Sequence, residues 1–167
     1  MTGFPEPAAD TADPRELFGR YLTYYRATVL RKLNALSPDE QRSSRLASGW
    51  TPLELVHHLA FMERRWFVWG FLAEDVDEPW GDSVDHRWAV PEGVTAADVA
   101  GLLQDAAART EAVLAGHDLE ATGADGGRFG EQAPTLAWIC FHVLQEYARH
   151  AGHLDIAVEL AGGPLGE

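Results

Sequence analysis

Histidines and one glutamate with helical spacing are the residues of this sequence best suited to chemistry. They lie between His142 and Asp155, where Glu146, His150 and His153 follow at intervals of four and three residues. At about 100° per residue on an α-helix, these three side chains and His142 fall within roughly one quarter of the circumference. A carboxylate and an imidazole one turn apart can reach the same divalent ion. The spacing therefore indicates a face for metal binding or proton transfer, whereas Asp155 falls on the opposite side and is expected to be solvated.

A further metal ligand must come from another helix, because the surface of one helix cannot surround an ion. The adjacent residues His57 and His58 supply the candidates. On their helical wheel, His58 lies at the edge of the apolar arc and His57 shares an arc with Arg64, so the pattern favours His58 as the inward histidine. An ordinary surface pair is the alternative interpretation of Glu146 and His150, since such pairs are common on helices.

Four long helical patterns must position these residues. A proline directly after a capping residue marks the start of each of the first two helices, and Thr95 with Asp98 marks the start of the third helix. The segments 73–93 and 118–132 lack a sustained period and are predicted to be loops. No convincing strand pattern is present, so we predict an all-α four-helix bundle. The predicted helices run from Pro14 to about Leu36, from Pro52 to about Phe71, from Thr95 to about Gly116, and from about Thr135 to Gly162.

Length and charge limit the function further. The 167 residues suit one domain, predicted over 14–163 after a flexible tail over 1–13. The 13 Lys and Arg residues against 26 Asp and Glu residues give a net charge of −13, which argues against nucleic acid and membrane surfaces as partners. Cys140 has no partner for an internal disulfide, and no secretory signal or run of 18 apolar residues is evident. These features favour a cytoplasmic protein, with Cys140 as a buried structural thiol.

Several other side chains are weaker candidates. Glu63 follows His58 on the same helix, but a solvated pair with a nearby arginine is the favoured interpretation. Arg149 could bind the carboxylate of a substrate or form a surface ion pair, and the sequence does not decide between them. The tryptophans at 66, 69 and 138 are expected in the core.

Two segments of the chain together resemble the DinB superfamily. They are WTPLELVHHLA with ERRWF, over 50–60 and 63–67, and EYARHAGHLD over 146–155. More narrowly, they are similar to an actinobacterial branch of uncharacterised proteins related to mycothiol-dependent maleylpyruvate isomerase. The resemblance extends from about Pro14 to Leu160. It implies a four-helix bundle in up-down-down-up order, with 73–93 as the long crossover between the second and third long helices.

The resemblance also implies a metal site. Carried over by position, its ligands are His58, Glu146 and His150, and the ion is a divalent metal, most readily Zn²⁺, with Ni²⁺ or Fe²⁺ as alternatives. His153 matches no general ligand of the family, and it is expected to support a ligand or carry a proton. Purely catalytic residues stay unassigned, as do the roles of His57 and His142.

Two functional hypotheses follow from these residues and the resemblance. The first is a metal-dependent enzyme that uses a small thiol, mycothiol in this branch, for transfer to or isomerisation of a small electrophile. The second is a non-catalytic metal-binding or stress-response protein in which the metal is structural. The resemblance further implies a homodimer, since bundles of this family are often dimeric.

Overall fold

The computed structural model describes residues 6–164 and consists mainly of helices that begin at capping residues. At the start of α3, the Thr51 hydroxyl accepts from the Glu54 N–H, and the Glu54 carboxylate accepts from the Thr51 N–H at 2.8 Å. Thr95 and Asp98 form the same reciprocal cap on α4. The bounds are α1 Pro14–Asn34, α2 Pro38–Gln41, α3 Pro52–Arg64, a π-helical segment Arg65–Phe71 that continues α3, α4 Ala96–Gly116 and α5 Leu136–Leu160.

The four long helices pack as a bundle around one apolar core. α1 packs mainly on α5, and α3 packs mainly on α4. Each helix contributes side chains with almost no exposed surface, such as Leu22, Leu59, Leu103 and Leu154. These positions recur at helical spacing, because only one face of each helix meets its neighbours. The predicted all-helical bundle is therefore present, and no described helix is long and apolar enough to cross a membrane.

The division into a tail and one domain is only partly covered by the structure. Residues 1–5, in the predicted tail, lie outside the described part of the chain, and 6–13 precede α1. The domain limits 14–163 therefore stay a prediction.

The crossover between α3 and α4 contains a small hairpin that the sequence did not predict. β1 Ser83–Val84 pairs antiparallel with β2 Arg87–Trp88. Asp85 and His86 form its turn with φ of 49° and 62°. Two-residue strands are too short to show alternating polarity, so the pattern reads as a loop. The hairpin folds the crossover back over α3.

The loop before α5 is held against the π-helical segment. The backbone N–H of Arg128 donates to the Trp69 carbonyl at 3.3 Å, and that of Ala124 donates to the Phe71 carbonyl at 2.7 Å. A Cβ on Gly127 would lie 2.2 Å from the Trp69 carbonyl oxygen. Only glycine fits this close approach of two backbones, and the approach fixes the position of the following Arg128.

A buried polar cluster links all four long helices. The Glu63 carboxylate, on α3, is completely buried and accepts from Arg26 Nε of α1 at 3.1 Å. It also accepts from the hydroxyls of Thr110 at 2.5 Å and Tyr147 at 2.6 Å. The prediction of a solvated Glu63 is wrong, although its partner is an arginine. Periodicity along α3 could not reveal a cation supplied from another helix.

Two other expectations are corrected by the packing. Asp155 is not simply solvated, because it forms an ion pair with the buried Lys32 of α1. Trp138 is 52% exposed rather than part of the core, whereas Trp66 is buried as predicted. For Asp155, the position of α1 decides the outcome.

Candidate metal centre

Three side chains from two helices converge at one point. His58 comes from α3, and Glu146 and His150 come from successive turns of α5. One ligand atom from each lies within 4.8 Å of the others. The structure therefore brings together the three residues that the family resemblance implied as ligands, and their arrangement could hold one metal ion.

The orientation of His58 is fixed by the crossover. Its Nδ1 lies 2.7 Å from Oδ2 of Asp82, so this nitrogen carries the hydrogen and donates to the carboxylate. The imidazole also stacks on Trp88 of the hairpin, with 4.5 Å between ring centroids. Nε2 is thereby left as the ring nitrogen available to a metal ion. A carboxylate on the far nitrogen of a histidine is a common support for metal-binding imidazoles.

Asp82 is itself held by a second charge. Arg65, the first residue of the π-helical segment, donates to both carboxylate oxygens at 2.6 and 2.9 Å. Burial by itself would raise the pKa of Asp82, but the hydrogen bonds from His58 and Arg65 outweigh it and lower that pKa to about 2. The carboxylate is thus ionised at neutral pH and can accept the hydrogen of His58 Nδ1.

On α5, the state of His150 is suited to metal binding. His150 Nε2 lies 3.1 Å from Glu146 Oε2. Burial of the His150 imidazole, followed by the charge of His58, lowers the pKa of His150 to about 4. A neutral imidazole is the form that binds metals, and neutralisation is the usual response of a buried base.

The two remaining histidines of the α5 face touch this cluster from either side. His153 Nδ1 lies 3.4 Å from His150 Nδ1, and its ring faces Trp50. His142 Nε2 lies 3.9 Å from Glu146 Oε1. The four-residue face predicted from the wheel therefore exists. His142 and His153 contact the candidate ligands without joining the group of three.

The other predicted residues lie away from the cluster. His57 is buried, and its ring nitrogen Nδ1 donates to the Ala89 carbonyl at 3.1 Å, which ties α3 to the crossover. Arg149 is exposed on α5 and forms no hydrogen bond or ion pair within residues 6–164. Burial raises the pKa of the Cys140 thiol to about 12, which agrees with a structural cysteine.

Sequence reasoning missed the residues that surround the cluster. Asp82, Trp88 and Arg65 were not selected, because the first two lie in an aperiodic loop and Arg65 lies in an apolar helix. A dense mixture of acids and aromatics in a long crossover was the one available signal. It could not identify which acid folds back onto His58.

Comparison with known proteins places the chain in a family. The family model described as mycothiol-S-transferase matches residues 17–163. The chain belongs to the mycothiol-S-transferase family. This confirms the resemblance drawn from the two motifs. None of the proteins with curated descriptions matches the chain.

The fold has a solved counterpart. A DinB-like protein from Bacillus cereus ATCC 10987 superimposes with a TM-score of 0.64 at 15% sequence identity. The match covers 91% of this chain and 95% of that one. At this identity the likeness concerns the fold alone, and it confirms the predicted DinB-like four-helix bundle with a long crossover.

Proposed function

We propose that the chain is a metal-dependent transferase that joins the sulfur of mycothiol to a small electrophile. Membership of the mycothiol-S-transferase family supports the choice of thiol and reaction. The observation that carries the proposal is the convergence of His58, Glu146 and His150 within 4.8 Å. If Glu146 and His150 formed only a surface ion pair, there would be no reason for His58 of α3 to lie beside them as a third possible ligand.

The donor set fits a divalent metal ion, with His58, Glu146 and His150 as its ligands. Two imidazoles and one carboxylate are typical of catalytic sites, which keep a position for substrate, rather than of closed structural sites. Zn²⁺ is the first choice, and Ni²⁺ or Fe²⁺ suit the same donors. When bound, the ion would favour the deprotonated form of a thiol at neutral pH.

The surrounding side chains orient the site. Asp82 keeps the His58 hydrogen on Nδ1, and Trp88 stacks on the same ring at 4.5 Å. Trp88 also meets His150 edge-on, with 5.1 Å between centroids.

In the proposed transfer, a bond forms between the thiol sulfur and a carbon of the electrophile, while the bond from that carbon to its leaving group breaks. The leaving group takes the electron pair, and the thiol proton passes to solvent.

An aromatic groove beside the cluster is a candidate entrance for substrates. It has a volume of about 490 Å³ and is lined in part by His142, which contacts Glu146. None of the three candidate ligands lines this groove or a larger one of about 680 Å³ along α1. Of the two, the groove at His142 is the one with a lining residue beside a candidate ligand, because His142 Nε2 lies 3.9 Å from Glu146 Oε1. We therefore favour the groove at His142. Its other lining residues are Tyr21, Tyr25, Trp138, Phe141, Leu144, Gln145 and Ala148.

Metal content and thiol consumption test the proposal together. The wild type, His58→Ala and His150→Ala are purified in parallel and analysed for bound metal. Loss of mycothiol with an added electrophile is then followed. We expect stoichiometric metal and metal-dependent thiol loss in the wild type, and neither in the two variants. His86→Asn is the matched control, since His86 is exposed in the hairpin turn with a positive φ that asparagine tolerates.

The structural-metal hypothesis makes a different prediction for the same samples. A purely structural ion would leave the wild type without thiol transfer, and its removal by a chelator would lower the melting temperature strongly. A catalytic ion should be removable with loss of turnover while the bundle stays folded. Retention of metal by both variants would refute the ligand assignment.

A further inference from the structure

Arg128 carries a buried cationic nitrogen without a partner. Within residues 6–164, its Nη1 is the one buried side-chain nitrogen or oxygen atom that has no hydrogen bond. Arginine has five N–H donors and no acceptor, so such a group requires an oxygen from elsewhere. Buried polar groups are nearly always satisfied, and an exception calls for an explanation.

Aromatic rings surround this guanidinium, and their contacts offset the cost of burying the cation only in part. Its central carbon lies 4.3 Å from the centroid of the Trp66 ring and 5.5 Å from those of Trp80 and Phe129. Contacts of this kind stabilise a cation only modestly and supply no hydrogen-bond acceptor, so they offset the burial of Nη1 only in part. Burial and the nearby charge of Arg65 lower the pKa of Arg128. Arg65 is neutralised by Asp82, whereas Arg128 has no ion-pair partner among the described residues.

Arg128 is connected to the candidate metal centre through two rings, those of Trp66 and His142. Trp66 contacts Arg128 and also His142, with 4.0 Å between the Trp66 and His142 centroids. His142 in turn lies 3.9 Å from Glu146. The unpaired cation therefore stands beside the site, within the length of a small molecule.

We propose that Arg128 binds the carboxylate of a small organic acid, which is the electrophilic substrate of the transfer; this rests on the proposed function. A carboxylate fits two parallel N–H groups of a guanidinium and supplies the acceptor that Nη1 lacks. The apolar part of the acid can pack on Trp66 and Phe129. In a chain of net charge −13, an anion needs a specific cation to stay bound, and Arg128 offers one.

The position of Trp80 indicates how the carboxylate of the acid reaches Nη1 of Arg128. Its indole is 52% exposed, lies on the crossover and covers both Arg65 and Arg128, at 4.5 and 5.5 Å. A half-exposed side chain on a loop can move more easily than the buried Trp66 beneath. Displacement of Trp80 would open Nη1 to an incoming carboxylate without change in the helices.

Binding of benzoate and benzamide tests the charge recognition without any turnover. The two probes share one ring and differ in charge, and quenching of tryptophan fluorescence reports their binding to the purified protein. Hydrogen bonds to a charged group contribute about 1.5–3 kcal/mol, so we expect benzoate to bind roughly 10- to 100-fold more tightly than benzamide. Arg128→Gln should abolish this preference, and Arg128→Lys should retain part of it.

Arg149→Gln is the matched comparison, because Arg149 is the exposed arginine on α5 that the sequence offered for the same role. Its preference for benzoate should equal that of the wild type. Equal binding of the two probes by the wild type, or loss of the preference in Arg149→Gln alone, would overturn the assignment. Since the first outcome needs no variant, the test holds even where Arg128→Gln fails to fold.

Bromoacetate and bromoacetamide separate this inference from the proposed function. With mycothiol, either reagent forms a sulfur–carbon bond as its carbon–bromine bond breaks and bromide leaves. We expect Arg128→Gln to raise KM for bromoacetate about tenfold or more, with KM for bromoacetamide and metal content unchanged. Equal effects on both reagents would overturn the role of Arg128. Absence of metal-dependent turnover with both would instead refute the transferase proposal, and the benzoate measurement would still decide for Arg128.

Discussion

Asp82→Asn tests how the crossover supports the candidate metal centre. The substitution preserves the shape of the side chain but removes the charge that accepts from His58 and pairs with Arg65. An asparagine can turn its amide nitrogen toward His58 and so disfavour a hydrogen on Nδ1. The change therefore affects both the orientation of His58 and the charge balance of the buried Arg65.

The size of the effect on stability follows from the pKa of Asp82. The fold lowers that pKa from 3.8 to about 2. At 1.36 kcal/mol per pH unit, the ionised carboxylate contributes about 2 kcal/mol to the free energy of unfolding at pH 7. Because the folded pKa is depressed, this contribution is complete above pH 4 and is lost as the pH falls toward 2. We expect the difference between wild type and variant to fall to roughly half near pH 3.

Asp82→Asn is also expected to weaken metal binding. Loss of a carboxylate that supports a metal-binding histidine typically weakens affinity by about 10- to 100-fold. Urea unfolding at pH 7 and pH 3 measures the first effect, and competition with a chromogenic chelator measures the second. Asp85→Asn is the control, because Asp85 is exposed in the same hairpin and asparagine suits its φ of 49°.

Two results would refute the reasoning. One is an Asp82→Asn variant with the metal affinity of the wild type, which would show that Asp82 does not hold His58 for a ligand role. The other is a stability difference that stays constant from pH 7 to pH 3, which would show that the ionised carboxylate is not its source. The Asp85→Asn protein should match the wild type in both measurements.

Three further predictions concern the packing around the site. Glu63→Gln leaves the buried Arg26 unpaired and should lower the free energy of unfolding by about 3–5 kcal/mol, measured with urea; a loss below 1 kcal/mol would contradict the buried pair. Gly127→Ala should lower the melting temperature, because the new Cβ would meet the Trp69 carbonyl at 2.2 Å, and an unchanged melting temperature would be evidence against this contact. Cys140 should resist alkylation by iodoacetamide at pH 8 until the chain is unfolded, since burial raises the pKa of its thiol to about 12; rapid labelling of the native protein, followed by mass spectrometry, would disprove its burial.

Helix positions could be predicted from the sequence because their signals are local. Thr51 with Glu54 and Thr95 with Asp98 form caps that satisfy the free N–H groups of the first turn, whatever lies around them. The face shared by Glu146 and His150 follows from the geometry of one helix. For the same reason, the choice of His58 could be supported by a helical wheel and by the family motif.

Contacts between elements could not be predicted, because sequence spacing carries no information on distant partners. Glu63 was expected in solvent, yet Arg26 and Tyr147 reach it from two other helices. The loop acid Asp82 showed no pattern, and the hairpin that places it against His58 is only two residues per strand.

The sequence by itself determined the four helices and the two motifs that mark the family. The tertiary structure decided which donor atoms meet, which acid orients His58 and which cation is left unpaired at Arg128. The physical reason is one of range. Caps and helical periodicity act over one or two turns, whereas burial and charge pairing depend on residues that only the packed bundle brings together.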